Sequence, residues 1–253
     1  MSKLLLPLVL LFISLTCFGI TFTLGEVKEY HQAAEQGDVI NQYLLGVMYA
    51  NGEGVPKDDT EAVKWYRKAA EQGYADAQYN LGVMYADGTG VSEDYTEAFK
   101  WFRKGAEQGN ALAQFNLGVM YEFGRGVPED DTEAVKWFRK AAEQGYARAQ
   151  FNLGNMYANG AGVPEDETEA VKWYRKVAEQ GDARAQYNLG LMYYYGNGVP
   201  EDNVVAYMWW NLAAAQGDEN AKENKGIISG EMTKEQIAEA QKLSREWMAK
   251  RQD

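Results

Sequence analysis

The side chains able to do covalent chemistry are few, and their scarcity excludes most catalytic classes. The chain has one histidine, His31, and one cysteine, Cys17. A disulfide scaffold, a zinc site built from Cys and His, and any device needing two histidines are ruled out by that count. A single triad would still have His31 available as its base. Yet His31 stands where Arg67, Arg103, Arg139 and Arg175 stand in similar stretches, which reads as a surface position. No GxSxG, Ser-x-x-Lys, P-loop or dinucleotide fingerprint is present. Asp87-Gly-Thr-Gly and Asp130-Asp131 invite a calcium reading, but EF-hand ligand spacing is missing and Asp130 is needed as a helix cap. The expectation is therefore no catalytic residue, no metal and no cofactor. Two residues keep a recognition chemistry. Arg148 and Arg184 lie 36 positions apart, and a guanidinium fork accepts a carboxylate with paired hydrogen bonds.

The spacing of those arginines belongs to a repeat that must position them. Trp65, Trp101, Trp137, Trp173 and Trp209 are each 36 residues apart, and so are Tyr49, Tyr85, Tyr121, Tyr157 and Tyr193. Self-similarity at this period marks a stacked array. Five uninterrupted copies occupy 37–72, 73–108, 109–144, 145–180 and 181–216, a half copy occupies 26–36, and a tail that does not repeat occupies 217–253. Each copy reads as two helices. In the second copy, Ala77, Leu81, Gly82 and Tyr85 share one helical face. A glycine-rich turn follows, then Asp94 with Glu97 three residues on, a capping-box spacing that recurs at Asp58/Glu61, Asp130/Glu133 and Asp166/Glu169. Gly73, Gly109, Gly145, Gly181 and Gly217 stand as helix terminators. Five glycines in mid-helix, Gly46 to Gly190, each cost about 1 kcal/mol against Ala, so a ring or helix must approach closely there. In the tail, Thr233/Gln236 reads as a capping box, Met232/Ile237 as a staple, and Ile237, Ala240, Leu243 and Trp247 as the stripe of a closing helix.

The pattern Ala-x-Ala-Gln-x-x-Leu-Gly-x-x-Tyr, then Gly-x-Gly-Val, then Asp-x-x-x-Ala-x-x-Trp resembles the Sel1-like repeat family, a relative of the tetratricopeptide repeat. The resemblance runs from residue 26 to 216. Departures are few: Gly105 and Val177 replace an Ala, Ser92 replaces the turn Pro, and Asn41-Gln42 replaces Ala-Gln. It implies an all-α, right-handed solenoid of antiparallel helix pairs. Some cysteine-rich relatives carry a β-lactamase label; this chain lacks their cysteine pairs and any acylatable Ser motif, so that label does not transfer.

In related solenoids the non-core face of the first helices lines a concave groove. Here that face runs from apolar to basic and amide-rich. Its candidate peptide-binding residues are Leu44, Val47, Asn80, Leu112, Asn116, Phe123, Arg148, Asn152, Asn155, Arg184, Asn188 and Tyr195. Asparagine is a poor helix former, so its return at 80, 116, 152 and 188 points either to contacts with extended peptide backbone or to plain duplication of one unit. The chain carries a net charge of −12, which disfavours nucleic acid. Lys3 followed by an uncharged run from Leu4 to Gly25 reads as an export signal over residues 1–25. An uncleaved anchor or a lipid on Cys17 is the alternative, and either puts the remainder outside the cytoplasm. The expected protein is a periplasmic or secreted monomer that holds a protein or peptide. The other readings are a cell-envelope hydrolase and a structural spacer.

Overall fold

The computed structural model describes residues 24–251, and the predicted export segment lies almost wholly outside them. Thirteen α-helices and no strands occur among the described residues. They fall into two units, one ending at Trp101 and one beginning at Phe102. The first unit holds α1 (Leu24–Glu35), α2 (Val39–Asn51), α3 (Asp59–Glu71), α4 (Ala75–Asp87) and the start of α5 (Tyr95–Glu107). The second holds the rest of α5, then α6 (Ala111–Glu122), α7 (Asp131–Glu143), α8 (Ala147–Asn159), α9 (Glu167–Glu179), α10 (Ala183–Tyr195), α11 (Asn203–Ala215), α12 (Glu219–Ser229) and α13 (Lys234–Ala249). Consecutive helices pair as the 36-residue period requires.

The helix starts differ from the predicted capping boxes in one respect. Asp58, Asp130 and Asp166 do accept the backbone N–H of Glu61, Glu133 and Glu169 at 3.0 Å. The reciprocal half is replaced. The N–H groups of Asp58, Asp130 and Asp166 donate at 2.9 Å to the carbonyls of Tyr49, Tyr121 and Tyr157 in the preceding helix. The glutamates turn outward to Lys64, Lys136 and Lys172. The cap thus joins the two helices of a pair instead of closing on itself. Thr233 and Gln236 make the full reciprocal box. The predicted glycine terminators all adopt positive φ, from +89° at Gly145 to +99° at Gly181, a backbone conformation that costs glycine little.

Packing explains the mid-helix glycines. A Cβ on Gly46 would sit 2.4 Å from the Tyr66 ring, one on Gly118 2.7 Å from Phe138, and one on Gly190 2.4 Å from Trp210. The ring of the second helix therefore lies directly on the backbone of the first. The tryptophans are core, as the period implies; Trp137 and Trp173 are each only 9% exposed. One ring face of each is covered by Lys140 and Lys176, 3.9 and 4.1 Å from the ring centroids. Beneath them runs a polar element that the motif contained but sequence reasoning did not interpret. Gln42, Gln78, Gln114, Gln150 and Gln186 are buried. Gln150 donates to the Ala142 carbonyl at 3.0 Å and accepts from Gln180 at 2.9 Å. Gln42/Gln72, Gln114/Gln144 and Gln186/Gln216 repeat the side-chain pairing. These amides add a second donor to carbonyls at the tight corner between pairs, such as that of Ala142, which also accepts the Gly145 N–H; each such bond contributes about 0.5–1.5 kcal/mol.

The tail departs from the reading of a non-repeating segment. Asp218 caps α12 through the N–H of Ala221, and Ala221 is fully buried. Asp218, Ala221 and Gly226 stand 36 residues after Asp182, Ala185 and Gly190, so α12 continues the register as a further first helix. α13 packs on α11 through Trp247 against Trp209, centroids 6.1 Å apart, and through the Ser244 hydroxyl donating to the Met208 carbonyl. That contact explains why α11 alone among the second helices lacks Lys, Arg, Asp and Glu. Its outer face is covered, so charges there would be stranded. Arg251 then donates to the carbonyls of Glu179 and Gln180, the free end of α9.

Candidate functional site

His31 is not the surface residue expected. It is half-buried, with Nε2 3.1 Å from the Tyr49 hydroxyl and its ring edge-on to Trp65 at 5.7 Å. Arg139 and Arg175 donate to the hydroxyls of Tyr157 and Tyr193 at 2.5 Å in the equivalent places. His31 therefore fills a structural slot that arginine fills elsewhere. Among the described residues, no group of three or more His, Cys, Asp or Glu side chains is arranged to hold a metal ion.

The first-helix stripe is solvent-accessible throughout. In the first unit, Leu44, Val47 and Asn80 are half-buried, with Ile40 exposed beside them. Asn80 lies within hydrogen-bonding reach of the Tyr43 and Tyr66 hydroxyls. Burial first, and the nearby Asp76 second, push the Tyr43 phenol up to about 12. In the second unit, Leu112 and Phe123 are exposed and Asn116 is half-buried, its amide donating to the Leu112 carbonyl at 2.9 Å. Asn152 and Asn188 are half-buried, Arg148 and Arg184 exposed. Asn155 accepts from the Tyr174 hydroxyl at 2.7 Å, and Asn188 also reaches that hydroxyl. Burial raises the Tyr174 phenol to about 12. The asparagines at 80, 155 and 188 thus have an interior role as partners of buried tyrosines, independent of any peptide.

The two arginines differ. Arg184 pairs with Asp182 at 3.0 Å and stacks over the Phe151 ring at 4.7 Å. Burial raises the Asp182 carboxyl, but the hydrogen bonds from Arg184 and the Ala185 N–H outweigh it, leaving the group below the usual carboxylate range. Arg148 makes no ion pair among the described residues. Both sit in the first turn of a helix, where positive charge opposes the macrodipole by about 0.3–1 kcal/mol. The single acid on α6, α8 and α10 is Glu122, half-buried at Phe123's side and raised above the usual range by burial and then by Asp131.

Within the second unit, exposed large apolar side chains collect on this same stripe. Phe123 is 59% exposed, Tyr195 66% and Ile227 56%. Leu112 belongs to the same stripe of the second unit, and Ile40 holds the equivalent position on α2 of the first; among the described residues only Met248, on α13, lies off these positions. Sequence reasoning missed Ile227 and Asn224, because α12 was not read as a first helix. The signal was present: Asn224 stands 36 residues after Asn188.

A family model described as the Sel1 repeat matches residues 30–38, 42–74, 75–110, 111–146, 147–182 and 183–218. The chain belongs to the Sel1 repeat family. A Sel1 repeat protein from Oxalobacter formigenes is similar in structure at 37% identity, with a TM-score of 0.70, over 89% of this chain and 92% of that one. A protective antigen of uropathogenic Escherichia coli strains with the same repeat fold is 32% identical over 88% of this chain and 64% of its own, TM-score 0.48. A Klebsiella pneumoniae protein named as a Sel1 repeat protein is 26% identical over 80% and 99%, TM-score 0.48. Comparison with curated proteins gives no match. The fold is accordingly a Sel1 solenoid, a repeat scaffold of a kind that commonly serves protein–protein interaction.

Proposed function

We propose that the chain is an extracytoplasmic interaction module that holds a protein or peptide segment on the first-helix stripe, without catalysis. The observation that carries this reading is the concentration of exposed Leu112, Phe123, Tyr195 and Ile227 on one face, against second helices whose outer faces are laced with Glu–Lys pairs. Burying such side chains against a partner contributes about 25 cal/mol per Å² of apolar area. The scarcity of catalytic side chains in the sequence supports a binding role. The export reading rests on residues 1–25 alone; no helix among the described residues is long and apolar enough to cross a membrane.

Cross-linking in intact cells, followed by purification of the chain, tests the binding role. A partner recovered with the native chain and lost with Leu112→Ser plus Phe123→Ser, at unchanged circular dichroism, is the expected result. Equal recovery with the double variant contradicts the site. Fractionation of cells expressing the chain with and without residues 1–25 tests export; unchanged distribution contradicts it.

A further inference from the structure

The second unit carries a notch that the stripe residues alone did not predict. It lies where α10, α11 and α12 meet, holds about 110 Å³, and is walled by Leu191, Tyr194, Tyr195, Trp210, Asn224 and Ile227. Tyr194 meets Tyr195 edge-on at 4.9 Å and Trp210 at 5.6 Å. Trp210 is held by its indole N–H donating to the Tyr187 carbonyl at 3.1 Å, so this wall is rigid. A dry cavity of about 150 Å³ accommodates a benzene ring; the notch is sized for one aliphatic side chain such as Leu, Ile or Met. Asn224 supplies an amide at its wall.

Charge fixes what must lie beside that side chain. Arg184 stands at the N-terminal end of α10 and Tyr195 at the C-terminal end. Glu231 sits near the notch, accepting from the Tyr194 hydroxyl at 3.4 Å. The face is therefore basic at one end and acidic at the other. Phe151 stacks on Arg184 and orients it, and its exposed pair with Asp182 is of the weak class, about 0–1 kcal/mol, that a ligand carboxylate can supplant. Leu191 and Tyr195 lie seven and eleven residues from Arg184. At 1.5 Å per helical residue that is about 10–16 Å, which an extended chain at about 3.3 Å per residue spans in three to five residues.

We infer that the second unit recognises an extended segment of a partner protein in which an acidic residue and a bulky aliphatic residue are three to five positions apart, the aliphatic side chain in the notch and the carboxylate on Arg184. The inference rests on the peptide-binding reading above and names the partner's chemistry. Its test is selection of a displayed random 12-residue peptide library on the immobilised full-length chain, followed by fluorescence anisotropy with synthetic copies of the selected peptides. The expected peptides carry the acid and the aliphatic residue at that spacing. Their affinity falls about tenfold for Tyr195→Ser with Ile227→Ser, through lost apolar burial, and about fivefold for Arg184→Gln. Tyr195 and Ile227 are exposed, so these variants fold; circular dichroism checks it. Peptides that lack the spacing, or bind the notch variants equally while losing affinity for Leu112→Ser with Phe123→Ser, overturn this inference and leave the interaction module standing. A library that yields no binding peptide overturns both.

Discussion

Gly190 and Gly226 occupy the same position of the repeat, yet replacing each by alanine has opposite expected effects. Alanine in mid-helix is favoured over glycine by about 1 kcal/mol. At Gly226 a new Cβ meets nothing within 4 Å, so the full gain is retained. At Gly190 the Cβ would stand 2.4 Å from Nε1 and 2.5 Å from Cδ1 of Trp210. Trp210 is 2% exposed and cannot swing aside without losing its bond to the Tyr187 carbonyl. Overpacking costs about 1–3 kcal/mol and the lost hydrogen bond about 1 more. After the propensity gain the net loss is about 1–3 kcal/mol. At about 2–4 °C per kcal/mol for a chain of this size, thermal melts followed by circular dichroism resolve both. Gly226→Ala raises the melting temperature by a few degrees and Gly190→Ala lowers it by up to about 10 °C. A Gly190→Ala protein as stable as the parent would refute the ring-on-backbone packing. A destabilised Gly226→Ala protein would refute the open space beside this glycine.

Three further outcomes follow from the same packing. Trp137→Ala empties a core position and costs about 3–5 kcal/mol, read by urea denaturation; a change under about 1 kcal/mol would mean the tryptophan stripe is not core. Gln150→Ala removes two hydrogen bonds of a buried amide, to the Ala142 carbonyl and from Gln180, and costs about 1–3 kcal/mol; a neutral effect in urea would refute the contribution of the buried ladder. Glu122 has its carboxyl raised by burial and by Asp131, so folding favours its protonated form. Its contribution is favourable below the unfolded pKa and is lost as pH rises through the folded one. Glu122→Ala, the residue found at 50, 86 and 158, is therefore stabilising at neutral pH, with an advantage that shrinks on acidification. Paired melts at pH 7 and pH 4 check the sign.

Periodicity made the helices, the ring-on-glycine packing and the stripe legible, because each depends on residues that recur at one spacing. What stayed hidden depends on partners that spacing does not name. Asp58 and Thr233 precede the same N3 chemistry, but only Thr233 closes a box, since Tyr49 supplies a competing carbonyl to Asp58. The glutamines recur as regularly as the leucines, yet Gln150 is buried because a carbonyl and Gln180 await it. His31 looked superficial by analogy with arginine; its ring is too short to leave Trp65 and Tyr49. The α12 register was obscured because its polar sequence masks the Asp218, Ala221 and Gly226 positions. At the stripe, residue types were readable, while the commitment of Asn155 to Tyr174 and of Arg184 to Asp182 required side-chain geometry.

Hydroxyl-radical footprinting of the chain with and without its cross-linked partner tests the central claim most directly, since Phe123 and Tyr195 are both highly exposed and react readily when free. Binding on the stripe predicts that the partner protects Leu112, Phe123, Tyr195 and Ile227 while the outer faces of α7 and α9, including Lys136 and Lys172, stay unchanged. Protection confined to α7 and α9, with Phe123 and Tyr195 as reactive as in the free chain, would contradict it.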